Sequence, residues 1–172
     1  MPQKLTNWFF QRDVLQIAPD LLGKTLVRRF DNNIVKRYRI TETEAYRGEE
    51  DQGCHACRGR TPRTEVMYSA GGVVYVYLIY GMYWMLNIVT GEKDDPQAAL
   101  IRGIEEISGP GKVGRELVID KSFYGENLSD SERIWIEDSR QKPDYITYPR
   151  IGIDYAGKIW RNKPWRYCIK NE

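Results

Sequence analysis

The apolar residues of this chain fall into short alternating runs more often than into helical stripes. Two strands, 24–30 and 34–46, reverse at Asp31-Asn32-Asn33, residues whose side chains favour tight turns. A second pair, 73–79 and 83–89, flanks Tyr80-Gly81-Met82, where Gly81 supplies the backbone freedom a sharp reversal needs. A further strand spans 98–104 after the turn Asp94-Asp95-Pro96, and short strands are expected near 133–137 and 164–169. Helical spacing is rarer. Val14, Leu15, Ala18, Leu21 and Leu22 mark one face of a helix over 13–22 that Gly23 ends. Thr61 and Pro62 have the N-cap and first-turn chemistry of another helix. Ser108-Gly109-Pro110-Gly111-Lys112 opens a third, running to about residue 118, and 46–60 is a polar loop. Hairpin strands with few helices predict an α+β fold on a mainly antiparallel sheet.

No repeat, low-complexity tract or long linker divides the 172 residues, so a single domain spanning 1–172 is expected. Residues 67–90 carry no charge and outrun the length a bilayer helix needs. Yet that stretch holds Ser69, Gly71, Gly72, Gly81 and Asn87 around a strand-like Tyr75-Val76-Tyr77-Leu78, which suits a hairpin better than a span. The opening Met-Pro-Gln-Lys-Leu-Thr lacks the apolar core of a signal peptide. The expectation is an intracellular, non-secreted protein without a membrane partner: cytoplasmic, at the nucleoid, in a prokaryote, or nuclear in a eukaryote.

A net charge of +2 announces no polyanionic partner, but its distribution is uneven. Residues 1–40 hold eight Lys/Arg against three Asp/Glu, and 158–172 hold five against one. Twelve Tyr and five Trp accompany them. Two readings stay open: solvated basic faces around a Tyr-rich core, or a surface that neutralises phosphates and offers aromatic faces to bases.

Three cysteines make no disulfide framework. The run Cys54-His55-Ala56-Cys57 invites a metal reading, but a closed zinc site needs four ligands and the chain has one His and one further Cys. The zinc-deaminase signature is missing, and Arg58 stands where haem attachment requires His. Free thiols, no metal and no organic cofactor are expected.

Three segments carry candidate chemistry. In Thr41-Glu42-Thr43-Glu44-Ala45-Tyr46, strand alternation puts Glu42, Glu44 and Tyr46 on one face, which is either solvated or borders a pocket where a carboxylate could activate water. His55, the only histidine, follows in the loop and could hydrogen-bond a purine edge or be incidental. In Tyr75-Val76-Tyr77-Leu78-Ile79-Tyr80-Gly81-Met82-Tyr83, the turn could push Tyr80 or Met82 outward as a wedge between base pairs, or be an ordinary turn over core Tyr. Ser108-Gly109-Pro110-Gly111-Lys112 lacks nucleotide-loop spacing, although its backbone N–H groups could hold a phosphate.

Together these segments resemble the alkyladenine (3-methyladenine) DNA glycosylases of the mammalian-enzyme type. The match is carried by Thr41 to Tyr46, His55, Thr61-Pro62-Arg63, Tyr75 to Tyr83, Asn87, Leu100-Ile101-Arg102 and Ser108-Gly109-Pro110-x-Lys112. Arg150-Ile151-Gly152-Ile153 and Lys163-Pro164-Trp165-Arg166 complete it, so the likeness extends from about residue 8 to 170.

The resemblance implies a monofunctional glycosylase of base excision repair, a monomer acting on double-stranded DNA that contains a damaged purine. Glu44 is the implied general base for water. Tyr46, His55 and Tyr77 are the implied walls around the flipped base, Asn87 the residue crowding the 2-amino group of guanine, and Arg102 a polar support. Tyr80 is the implied intercalating side chain on a protruding hairpin, with Met82 and Tyr83 in the minor groove, and Arg63 and Lys112 also count as implied DNA contacts. No Lys sits in the pocket motifs, so no Schiff-base step is expected. The chain departs from the family between Arg102 and Ser108, where a helical segment is missing, and at Ala56, where Ser is usual. The competing class, a non-catalytic nucleic-acid module built on a Tyr platform, has no use for a pocketed Glu44.

Overall fold

The structure is a computed structural model that describes residues 2–171. In chain order the elements are β1 (Gln3–Lys4), α1 (Asn7–Phe10), α2 (Val14–Asp20), β2 (Thr25–Arg29), β3 (Val35–Arg47), β4 (Val74–Ile79) and β5 (Tyr83–Thr90). Then follow β6 (Gln97–Ile104), β7 (Ile107–Ser108), α3 (Pro110–Glu116), β8 (Ile134–Asp138), β9 (Tyr145–Tyr148), α4 (Gly157–Arg161) and β10 (Arg166–Ile169). Single 3₁₀ turns lie at His55–Arg58, Glu65–Tyr68, Lys121–Phe123 and Asp154–Ala156. The strands form one antiparallel sheet in the order β1-β8-β2-β3-β6-β5-β4, with β10 joining β3 to β9 and β7 folding back on β6. The α+β expectation holds.

β3 is the organiser. Its first half pairs with β2 and its second with β6, while Glu42 to Glu44 also meet β10. Register shifts on either side of Glu42 mark an irregularity in the β3–β6 ladder, the kind of device that bends and twists a strand. One 13-residue strand can thereby serve neighbours that lie in different directions.

Alternation gives the central sheet two unlike faces. Ala45, Val74, Val76, Leu86, Ile88, Ala99 and Ile101 belong to the main apolar core, which α2 and α3 complete through Val14, Ile17, Ala18, Val113 and Leu117. Each fully buried Leu or Ile there contributes about 1.5–3 kcal/mol relative to exposure. The alternate residues, among them Glu44, Tyr46, Tyr75, Tyr77 and Asn87, point the other way, toward the turn that carries His55. A smaller cluster of Cys54, Ala56, Val66, Met67, Tyr68, Val89 and Ala98 closes that side.

Helix α2 forms as its spacing predicts, with the Asp13 carboxylate accepting the Leu15 N–H (2.8 Å) as N-cap. Helix α3 sits directly on β5. A Cβ on Gly114 would lie 2.0 Å from the Trp84 carbonyl oxygen and one on Gly111 2.9 Å from the Tyr83 ring, so only glycine permits this approach.

Thr61 does not start an α-helix. Thr64 donates its N–H to Thr61 Oγ1 (3.2 Å) and Thr61 returns its own to Thr64 Oγ1 (2.9 Å), closing a local turn. One 3₁₀ turn follows before Ser69 reverts to extended backbone. The shortened connection after Arg102 is a two-residue hairpin that reverses at Glu105 and Glu106, with Glu106 at φ 66°. β1, α1, β9 and α4 carry no alternation or helical stripe long enough to predict. No helix among the described residues is long and apolar enough to cross a membrane.

Candidate active site

Strand register assembles the site. Glu44 on β3 stands opposite Leu100 on β6, Leu100 opposite Asn87 on β5, and Asn87 opposite Tyr75 on β4. Cross-strand partners share a face, so a carboxylate, an amide and a phenol from three strands line up on one face, where a cavity opens over Glu44. That cavity measures ≈ 380 Å³, within the range of about 300–1,000 Å³ typical of small-molecule sites. Glu44, Tyr46, His55, Tyr77, Tyr80 and Arg102 all line it, as do Ile151 and Ile153 from the C-terminal segment. Asn87 lies in an adjoining cleft that shares Tyr46, His55 and Tyr77. A larger groove of ≈ 590 Å³ by Trp8 and Tyr145 is a poorer candidate, since neither of its acids, Asp20 and Glu92, is buried.

Glu44 is wholly buried, at 0% exposure. Tyr46 donates its hydroxyl to Glu44 Oε1 (2.9 Å) and Ile151 donates its backbone N–H to Oε2 (2.7 Å). Arg102 Nη1 lies 3.7 Å from Oε1. Burial pushes the Glu44 carboxyl above the ordinary glutamate range, while Arg102, the Ile151 N–H, Tyr46 and Arg150 pull it back. A carboxylate so placed is a stronger base than one in water. Tyr46 is itself held well above its usual range by burial and by Glu44, so it stays protonated and remains a donor. Glu42, the second acid of the strand face, is not solvated either. It accepts from Arg102 Nε (3.2 Å) and Arg166 Nη1 (3.1 Å), which fixes the Arg102 guanidinium beside Glu44.

The walls are aromatic. The His55 and Tyr77 rings lie 4.5 Å apart between centroids at 69°, and Tyr77 and Tyr75 5.5 Å apart. His55 Nδ1 is 2.8 Å from the hydroxyl of Tyr75, a residue only 1% exposed. If His55 were the donor, the buried Tyr75 O–H would have no acceptor among the described residues. Tyr75 therefore donates, leaving the imidazole proton on Nε2. Burial and the nearby Arg63 and Arg58 hold the His55 imidazole down at about 4, so it is neutral at physiological pH.

Above this cavity stands the β4–β5 hairpin. Tyr80 and Gly81 occupy its tip with φ of 51° and 63°, the successive positive angles of a tight hairpin turn. Tyr80 is 86% exposed, and Leu78 and Met82 beside it are also exposed. A bulky residue at positive φ is strained, and such strain concentrates at functional positions.

The remaining expected contacts separate from the cavity. Arg63 is exposed with its guanidinium 5.2 Å from the Tyr77 ring centre, bracing that wall from outside. Tyr83 turns to α3, against Gly111 and 5.4 Å from the Arg115 guanidinium. Lys112 is exposed in the first turn of α3, and Cys54 is a buried free thiol that burial pushes up to about 12. Sequence reasoning did not single out Tyr75 as the partner of His55, Ile151 as a donor to Glu44, or the buried Asp51–Arg150 pair behind Tyr46. The signal available for the last was the Arg150-Ile151-Gly152-Ile153 motif, which carries no role by itself.

Known proteins bear on this arrangement. The model of the Methylpurine-DNA glycosylase (MPG) family matches residues 8–109 and 105–172, two stretches that meet at the shortened hairpin after Arg102. A "Putative 3-methyladenine DNA glycosylase" of Natranaerobius thermophilus is 41% identical over 192 residues, covering 98% of this chain and 96% of the relative. Proteins of the same name from Psychrobacter cryohalolentis and Methanocella arvoryzae are 40% and 42% identical, covering 92% and 95% of this chain and 92% and 90% of their own lengths. A buried acid among aromatic walls, on a chain that these relatives match almost end to end, has one consistent account: the chain belongs to the methylpurine-DNA glycosylase family of N-glycosyl hydrolases.

Proposed function

We propose that this protein removes damaged purines from double-stranded DNA by flipping the nucleotide into the Glu44 cavity and hydrolysing its N-glycosidic bond, acting as a monomer. The observation that carries the reading is Glu44 itself: an acid closed to solvent, hydrogen-bonded on both oxygens, beneath aromatic walls and an exposed apolar hairpin tip. A solvated structural acid needs none of this. Tyr80 enters the duplex and fills the gap, as wedge side chains do in DNA that is bent or opened, with Met82 and Tyr83 in the minor groove. Lys112 and Arg63 contact phosphates beside it. Tyr46, His55 and Tyr77 enclose the base, and Asn87 crowds the 2-amino group of normal guanine.

Chemistry then follows from charge. Glu44 takes a proton from water as the oxygen bonds C1′, and the electrons of the breaking C1′–N bond leave with the base. A cationic base such as 3-methyladenine departs neutral without further help. Hypoxanthine or ethenoadenine needs a proton to leave, which makes pocket contacts more important. Negative charge on Glu44 also stabilises the oxocarbenium-like sugar. Because Glu44 is closed to solvent, the water reaches it only when a neighbour yields.

The test is a base-release assay on duplex oligonucleotides carrying 3-methyladenine, 7-methylguanine, hypoxanthine or ethenoadenine. Release by the parent and none by Glu44→Gln is expected. DNA binding without release on every substrate would favour the non-catalytic aromatic platform instead.

A further inference from the structure

Behind the cavity wall lies a buried ion pair that the proposed chemistry does not use. The side chains of Arg150 and Asp51 are both 0% exposed and meet through two parallel bonds, Nη1 to Oδ2 at 2.6 Å and Nη2 to Oδ1 at 2.8 Å. Asp51 also accepts the N–H groups of Arg47 and Gly53, both at 2.9 Å. Arg150 also donates to the carbonyls of Ala45 (3.0 Å) and Trp160 (3.3 Å). One pair thus ties together the end of β3, the loop that leads into His55, the C-terminal segment and α4. The guanidinium lies 4.9 Å from the ring centres of both Tyr46 and Trp165, so it backs the Tyr46 wall. The next residue along the chain is Ile151, whose N–H holds Glu44.

A buried ion pair is poor evidence for stability, because apolar residues of similar volume often serve as well. What a bidentate Arg–carboxylate pair provides is fixed orientation. We infer that Arg150 and Asp51 are positioning residues for base excision: together they set Tyr46, the His55 turn and the Ile151 N–H in register with Glu44. The inference rests on the reading of Glu44 as the base. Arg150 has a second effect through its charge. Glu44 is faced by Tyr46 on its own strand, Arg102 on β6, Tyr77 on β4, and Arg150 with the Ile151 N–H on the C-terminal segment; Arg166 on β10 is engaged by Glu42. Removing Arg150 leaves Arg102 as the cation holding the carboxylate ionised.

The experiment compares Asp51→Asn/Arg150→Met, which neutralises both partners together, with Arg150→Lys, which keeps the charge but loses the fork. Single-turnover base release is measured against pH, alongside lesion-DNA affinity and thermal melting. For the double variant, a rate about 10- to 100-fold lower is expected, in line with small misplacements of catalytic groups, with the acid limb moved to higher pH. Arg150→Lys should lose rate while keeping the parent's acid limb. A folded double variant with parental rate and acid limb overturns the inference. If the double variant does not fold, Arg150→Lys decides alone, and an unchanged rate overturns it. Glu44→Gln separates the two levels. Should it retain base release, the reading of Glu44 fails; should it be inactive while the pair variants are unaffected, only the positioning role fails.

Discussion

Replacing Tyr80 with Asn should make the protein more stable and worse at its work. Tyr80 sits at φ 51° with 86% of its surface exposed, so its removal sacrifices little burial. Asn is several-fold enriched over other non-glycine residues at positive φ, which corresponds to about 0.7–1 kcal/mol of relieved strain. For a chain of 172 residues that raises Tm by about 2–3 °C. Against this stands the loss of the insertion into DNA proposed for Tyr80. Stacking of one base on an aromatic ring contributes about 1–3 kcal/mol, so affinity for a lesion duplex should fall about 5- to 150-fold. Calorimetry gives the first quantity, and titration of duplexes with and without a lesion gives the second. A lower Tm would refute the strain argument. Unchanged lesion affinity would remove Tyr80 from the role of wedge.

Three further substitutions probe the cavity. Glu44→Gln should abolish base release, leave lesion binding closer to the parent than any Tyr80 variant does, and raise Tm at neutral pH. Glu44 has a folded pKa above its unfolded value of 4.5, so its ionisation penalises the folded state at high pH, and the gain should vanish below pH 4.5. His55 has the opposite linkage: its folded value of about 4 lies below 6.5, so stability is lost as pH falls from 6.5 toward 4. The loss is on the order of 3 kcal/mol, and His55→Asn should flatten that part of the stability–pH curve; an equally steep curve counts against a buried neutral imidazole. Asn87→Ala should gain release of normal guanine in duplex DNA, and unchanged discrimination would end its role in exclusion.

Much of this fold was readable because strand periodicity and turn chemistry agree locally. β2, β3, β4, β5 and β6 lie within a residue or so of where alternation puts them, and α2 forms inside the stretch expected for it, with Asp13 as its N-cap rather than its first residue. The elements that escaped are those whose order comes from distant partners. β9 is a four-residue edge strand, paired with β10 alone, in which all four residues are comparably exposed, so its sequence gives no alternation of burial to read. The helix expected after Thr61 failed because two threonine side chains satisfied each other's backbone in a turn. Within the site, Glu44, Tyr46, His55, Tyr77 and Arg102 converge on one cavity, whereas the links between them lay out of reach. Asp51 and Arg150 are 99 positions apart, and a main-chain donor such as Ile151 leaves no mark in residue type.

The seat of α3 on β5 has a mechanical consequence. β4 is the last strand of its end of the sheet, and among the described residues its outer edge is bonded only at its base, where Val74 meets Gly125 and Glu126, so the hairpin that ends in Tyr80 projects as a cantilever. The approach of α3 at Gly111 and Gly114 places a helix against Tyr83 and Trp84, the first residues of β5 below the tip, with Val113 and Leu117 anchored in the core. With Tyr80 as the wedge proposed above, load at the tip would pass through α3 into the domain core as well as through the six cross-strand residue pairs of the hairpin. Adding a side chain at Gly114, more than 30 positions from the tip in sequence, would therefore soften the tool without touching its edge.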